Sequence, residues 1–73
     1  MPKLPVVTPR KLLRALEQLG FVVVRQKGSH AFLMHLDGRH TTVPLHARDL
    51  PPGTLGGILH DIDLSVETLR KDL

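Results

Sequence analysis

The order of helix and strand signals along this chain predicts an α+β fold: a three-stranded antiparallel sheet with helices on one face, arranged α-β-β-β-α with a terminal helical turn. Three observations predict it. Amphipathic segments flank the strand-like runs and do not alternate with them. A β-branched run opens directly after a helix stop. Asp37-Gly38 joins two further strand-like runs in the manner of a hairpin.

Thr8-Pro9 marks the first helix start, because a threonine hydroxyl caps an orphan N–H and proline at the first helical position lacks none that is needed. Val7 and Leu12 are spaced as a hydrophobic staple. Leu12, Leu13, Leu16 and Leu19 form one stripe, Arg10, Lys11 and Arg14 lie opposite, and Gly20 closes the helix. Phe21 to Gln26 is too short and too β-branched for a helix and reads as a strand, followed by a turn at Lys27-Gly28-Ser29. Strands over His30 to Leu36 and Arg39 to Leu45 meet across Asp37-Gly38 in a two-residue type I′ turn. That register sets Leu36 opposite Arg39, His35 opposite His40, Phe32 opposite Val43 and His30 opposite Leu45, so that Phe32, Met34 and Val43 share the core face.

Pro44 restricts the third strand to an edge or an end. After Pro51-Pro52-Gly53, the residues Leu55, Ile58, Leu59 and Ile62 recur at helical spacing. Gly56 and Gly57 within this helix either allow a close backbone approach or weaken it by about 1 kcal/mol each. Ser65 caps a short third helix, with Leu64 and Leu69 spaced as a staple and Glu67 in the first turn.

Seventy-three residues allow one small domain, 1–73, in which Met1 to Val7 reads as a possible flexible tail because of Pro2 and Pro5. Ten Lys and Arg against seven Asp and Glu give a net charge of +3, and the pI of about 10.0 points to an anionic partner, nucleic acid first. The absence of cysteine excludes disulfides, thiolate metal sites and cysteine nucleophiles. With two Phe and no Trp or Tyr, the chain is a poor aromatic platform for unpaired bases. Neither a membrane helix nor the apolar region of a signal peptide is legible, so a cytoplasmic location is expected.

Histidine is the leading candidate for chemistry, since its ordinary pKa lies near working pH. Among His30, His35, His40, His46 and His60, His30 stands out: Arg25 and Lys27 precede it, Gly28 bares the backbone and Ser29 adds a hydroxyl. A cationic corner holding one acid–base group suits phosphodiester cleavage. The plain alternative is a strand connection with a half-buried strand histidine. His35 and His40, paired in the expected register, lack the further ligands a metal site needs. His46, just after the third strand, could line a site near its hairpin-opposed neighbour His30, and His60 falls on a solvent-facing helix side. Arg10, Lys11 and Arg14 could track phosphates, as could Arg39 and Arg48, or could form an ordinary solvated face. No phosphate-binding loop, G-x-G-x-x-G, H-E-x-x-H or G-x-S-x-G occurs.

Gly28-Ser29-His30, Asp37-Gly38-Arg39, Thr42-Val43-Pro44-Leu45-His46, Pro52-Gly53-Thr54-Leu55 and Ile58-Leu59, in that order from about Thr8 onward, resemble the HicA (YcfA-like) toxins of type II toxin–antitoxin systems. The resemblance implies a fold like that of a double-stranded RNA-binding domain and an mRNA endoribonuclease, or mRNA interferase, that blocks translation. It also implies inhibition by a HicB-type antitoxin. His30 takes the place of that family's catalytic histidine, Gly28 and Ser29 would shape the site, and no metal or other cofactor is implied. Where the family often carries basic residues after Gly-Thr-Leu, this chain has Gly56 and Gly57, so the expected RNA contacts shift to Arg10, Lys11, Arg14, Arg25 and Lys27. In the implied chemistry His30 moves a proton at the ribose 2′-OH or at the leaving 5′ oxygen, while Arg25 and Lys27 stabilise phosphorane charge. A non-catalytic RNA-binding module and a protein-interaction subunit stand as alternatives.

Overall fold

The computed structural model describes residues 3–46 and 48–73. Its elements follow the expected order: α1 (Pro9–Gln18), β1 (Phe21–Lys27), β2 (His30–His35), β3 (His40–Pro44), α2 (Pro52–Asp61) and α3 (Val66–Lys71). The strands form one antiparallel sheet in the order β1-β2-β3. The local signals that start the helices operate as expected. Thr8 Oγ1 accepts from the Lys11 N–H at 3.2 Å, with Pro9 in the first turn, and Ser65 Oγ accepts from the Thr68 N–H at 3.1 Å. Both caps satisfy donors that the first helical turn leaves open.

Leu12 and Leu16 of α1, Leu55, Ile58 and Leu59 of α2, Ile62 and Leu69 bury their side chains with Phe21, Ala31, Leu33 and Val43 of the sheet. The helices therefore cover one sheet face. Of the segment expected as a tail, Met1 and Pro2 lie outside the described residues. Val7 is buried, Leu4 packs against the core, and the Val7 carbonyl accepts from the Leu50 N–H at 2.8 Å. In α2 a Cβ on Gly56 would meet Leu4 Cδ1 at an ordinary 3.8 Å and one on Gly57 would meet nothing. Neither glycine serves a close approach, so their effect on the helix is to weaken it.

The β2–β3 hairpin departs from the expected register by one residue. Met34 pairs with His40, Leu33 with Thr41, Phe32 with Thr42, Ala31 with Val43 and His30 with Pro44. A type I′ loop needs positive φ at both of its residues, and of Asp37 and Gly38 only Gly38 has it, at 97°. Leu36, Asp37 and Gly38 instead form a three-residue loop, in which the Gly38 N–H donates to the His35 carbonyl at 2.9 Å and the His35 N–H to the Arg39 carbonyl at 2.8 Å.

Because side chains alternate along a strand, the slip exchanges the faces of β2. Ala31 and Leu33 are buried, whereas Phe32 is half-buried and Met34 is 46% exposed, so the expected core set of Phe32, Met34 and Val43 keeps only Val43. His35 faces the helix side and His40 the open side, which removes the expected cross-strand histidine pair. Register also explains Pro44. With hydrogen-bonded pairs at His35–Arg39 and Ser29–Leu45, Pro44 falls on a non-hydrogen-bonded position of an edge strand, where no N–H is required.

Candidate active site

Gly28 and Ser29 link β1 to β2 directly, with Gly28 at φ 57°, the left-handed value that a primed hairpin turn places on its first loop residue. His30 follows as the first residue of β2, exposed on the sheet face that the helices leave open. Its cross-strand partner is Lys27.

Strict alternation from the buried Phe21 would send Val23, Arg25 and Lys27 to the helix side. A β-bulge prevents this. Val23 pairs with Leu33 and Arg25 with Phe32, leaving Val24 as the extra residue. The bulge shifts Arg25 and Lys27 onto the open face beside His30, the kind of re-aiming that bulges accomplish. The Arg25 guanidinium carbon stands 5.8 Å from the centroid of the Phe32 ring, a cation–π contact that steadies the long side chain.

From the other side, the Leu45 N–H donates to the Ser29 carbonyl. This carries the β2–β3 ladder past Pro44 to the turn itself and brings His46 to His30, with ring centroids 6.5 Å apart and planes at 83°. One exposed corner thus gathers His30, His46, Lys27 and Arg25. His46 was foreseen as a neighbour of His30, but the bulge and the Phe32 contact were not. Three successive valines before Arg25 carry no periodic signal that would mark an extra residue.

The remaining candidates separate by layer. Arg10 and Arg14 lie on the exposed side of α1 and border a shallow groove with Leu13 and Leu45, so they reach the same end of the molecule as His46 from the helix layer. Lys11 lines a second groove with Val6, Asp72 and Leu73, which Arg14 also borders. Arg39, a possible phosphate contact by sequence, belongs to the fold instead. Its Nε donates to Asp37 Oδ2 at 2.8 Å, its Nη1 to the Ile62 carbonyl at 2.8 Å, and its guanidinium carbon stands 5.1 Å from the Phe21 ring centroid.

The backbone N–H of Arg39, donating to Asp37 Oδ1 at 3.0 Å, holds the Asp37 carboxyl below its usual range against the opposing effect of desolvation, and the Arg39 guanidinium adds to the lowering. His35 Nδ1 lies 3.1 Å from the Asp37 N–H and 3.2 Å from Asp37 Oδ2. One nitrogen cannot accept from the first and donate to the second together. The N–H is a fixed donor, so Nδ1 accepts and Arg39 carries the charge contact.

Among the described residues, no three His, Asp or Glu side chains converge to hold a metal ion, and no helix is long and apolar enough to cross a membrane. Residues 9–64 match a protein-family model described as the HicA toxin of bacterial toxin–antitoxin systems. No curated protein matches the chain.

Proposed function

Since this chain belongs to the HicA toxin family of bacterial toxin–antitoxin systems, we propose that it is an mRNA endoribonuclease whose proton-transfer group is His30 and whose partner is a HicB-type antitoxin. The observation that carries the reading is the exposed His30 on the open sheet face with Lys27 as its cross-strand partner and Arg25 next along. An imidazole flanked on its β1 side by two cations suits a phosphodiester, because the cations take the phosphate oxygens and the ring exchanges a proton at an oxygen that reacts.

Gly28 and Ser29 hold the turn that presents His30. Arg25 and Lys27 bind the scissile phosphate and stabilise the charge that grows on it. Arg10 and Arg14 extend the basic track from the helix layer, and Lys11 meets phosphates further along the strand. RNA is the substrate and DNA is not, because the ribose 2′-OH supplies the nucleophile. The reaction runs without a metal or other cofactor.

Induced expression of the wild-type chain beside His30→Ala, with growth and total RNA followed in both, tests the proposal in cells. Arrest and RNA loss confined to the wild type are expected. Purified protein should cleave RNA in the presence of EDTA and leave a deoxyribose copy of the same strand intact. Full cleavage by His30→Ala would overturn the assignment, and equal cleavage of the deoxyribose strand would overturn the role of the 2′-OH.

A further inference from the structure

We propose that His46 is the second proton-transfer group of the reaction, acting as a pair with His30 across one phosphate. This deepens the ribonuclease reading and rests on it. Transesterification at a ribose needs two proton movements, one away from the 2′-OH and one toward the departing 5′ oxygen, and a single imidazole cannot make both in one step. The corner holds two imidazoles at a centroid separation of 6.5 Å. Two hydrogen bonds of about 2.8 Å each, one to each of the two oxygens that react at a single phosphorus, bridge a separation of this size, so a phosphate resting over the pair reaches both.

Pairing is built into the fold. His30 is fixed by its place opposite Pro44, and the bond from the Leu45 N–H to the Ser29 carbonyl draws the chain after β3 against the turn that carries His30. Both rings are exposed, so substrate has access. The charged groups beside them on the sheet are Lys27 and Arg25 on the β1 side, and Arg48 and Asp49 follow His46 in the chain. No carboxylate occupies the open-face positions of β1, β2 or β3 beside the pair.

The step balances without a co-reactant. One neutral ring takes the 2′-OH proton as that oxygen bonds to phosphorus. The bond from phosphorus to the 5′ oxygen breaks, and this oxygen takes a proton from the other ring, which enters protonated. The products are a 2′,3′-cyclic phosphate and a free 5′-hydroxyl. Each ring ends in the state the other began in, and exchange with water restores the pair.

The test compares the full-length wild type with His30→Ala, His46→Ala and His46→Phe on two substrates. One is an RNA oligonucleotide; the other is an oligoribonucleotide ending in a 3′-p-nitrophenyl phosphodiester, whose leaving group departs without protonation. On RNA each variant should lose about 10²- to 10⁴-fold in kcat, with the thermal unfolding of the wild type retained. The bell-shaped pH profile of the wild type should lose one limb in the His46 variants. On the aryl ester one of the two alanine variants should recover and the other should not, which assigns the acid.

His46→Phe keeps a ring edge against His30 and removes the nitrogens. Wild-type rates in that variant would reduce His46 to packing and overturn the proposal, as would an aryl ester that rescues neither alanine variant. Those results leave the His30 reading standing if His30→Ala stays inactive, whereas an active His30→Ala defeats that reading itself.

Discussion

At one end of the sheet, the β2–β3 loop brings His35, Asp37 and Arg39 into a hydrogen-bonded set that reaches the carbonyl of Ile62, the C-cap of α2. At the other end, the β1–β2 turn presents His30, Lys27 and Arg25, whose side chains, among the described residues, enter no ion pair. Both turns have a glycine at positive φ, a histidine and a cation. In the first set the polar groups answer one another and tie a hairpin tip to a helix end, so the charge is used by the fold. In the second no ion pair is made, Arg25 resting on the Phe32 ring and His30 against His46, and the groups face outward, ready for a ligand. Residue type does not distinguish a site from a brace here; pairing does.

Exchanging alanine between the two ends is the strongest way to break this comparison. His30→Ala should abolish cleavage by about 10²- to 10⁴-fold and leave the melting temperature within the scatter expected for an exposed position. Arg39→Ala should do the reverse. It removes the bond to the Ile62 carbonyl, the Asp37 pair and the contact with Phe21, worth together about 1–2 kcal/mol, or a fall of roughly 5–15 °C in Tm for a chain of this size. Activity per folded molecule should persist. Circular dichroism melts and RNA cleavage on the same preparations read both.

The cations separate the ends next. Replacing Arg25 and Lys27 together should weaken RNA binding uniformly across sequences and flatten the dependence of log K on log salt by roughly 0.7 for each lost phosphate contact on a single strand. Arg39→Ala should leave that slope unchanged. Fluorescence titrations of a labelled RNA at several salt concentrations, using His30→Ala as the background to prevent cleavage, make the measurement.

Much of this contrast was hidden from sequence for a specific reason. Helix starts are local: a hydroxyl before Pro9 and another at Ser65 announce themselves. Face and register are not local. His30-Ala31-Phe32-Leu33-Met34 has apolar residues at both parities, so either Ala31 and Leu33 or Phe32 and Met34 could have formed the core, and Asp37-Gly38 suits two loop lengths. The Phe21 to Val24 run is apolar throughout and conceals its bulge, although that bulge decides which face Arg25 and Lys27 occupy. His46 remained visible as a neighbour of His30 because a slip of one residue still leaves it at the base of the hairpin.

The two glycines sharpen the comparison at smaller scale. A Cβ at Gly28 or at Gly38 would meet no neighbouring atom within 4 Å, so alanine at either costs only the left-handed backbone, about 1–2 kcal/mol. A loss of stability is therefore expected from Gly28→Ala and Gly38→Ala, the larger from Gly38→Ala, because the φ of 97° at Gly38 lies further from the left-handed well than the 57° of Gly28. Their effects on cleavage should differ, because Gly28 lies two residues before His30 and Gly38 sits in the distant loop. A Gly28→Ala variant that cleaves as fast per folded molecule as Gly38→Ala would show that the turn does not set the position of His30.

The smallest effect lies in acid. Asp37 has its folded-state pKa below the ordinary value of 3.8, through the Arg39 N–H first and the guanidinium after it. A carboxyl depressed in this way binds its proton more readily in the unfolded chain. Its contribution is therefore complete above the unfolded value and disappears as pH falls through the folded one. The wild type should lose Tm between about pH 4 and the low end of the carboxylate range, and Asp37→Asn, which keeps an oxygen acceptor without the titration, should lose less over that interval. Above pH 5 the difference between the two should be constant. Because the carboxylate is exposed, the acid-dependent part will be small beside the loss from Arg39→Ala. If the two melting curves stay parallel through the acid range, the Asp37–Arg39 contact contributes geometry to the loop and no charge-dependent stability, and the brace rests on the bond from Arg39 to the Ile62 carbonyl.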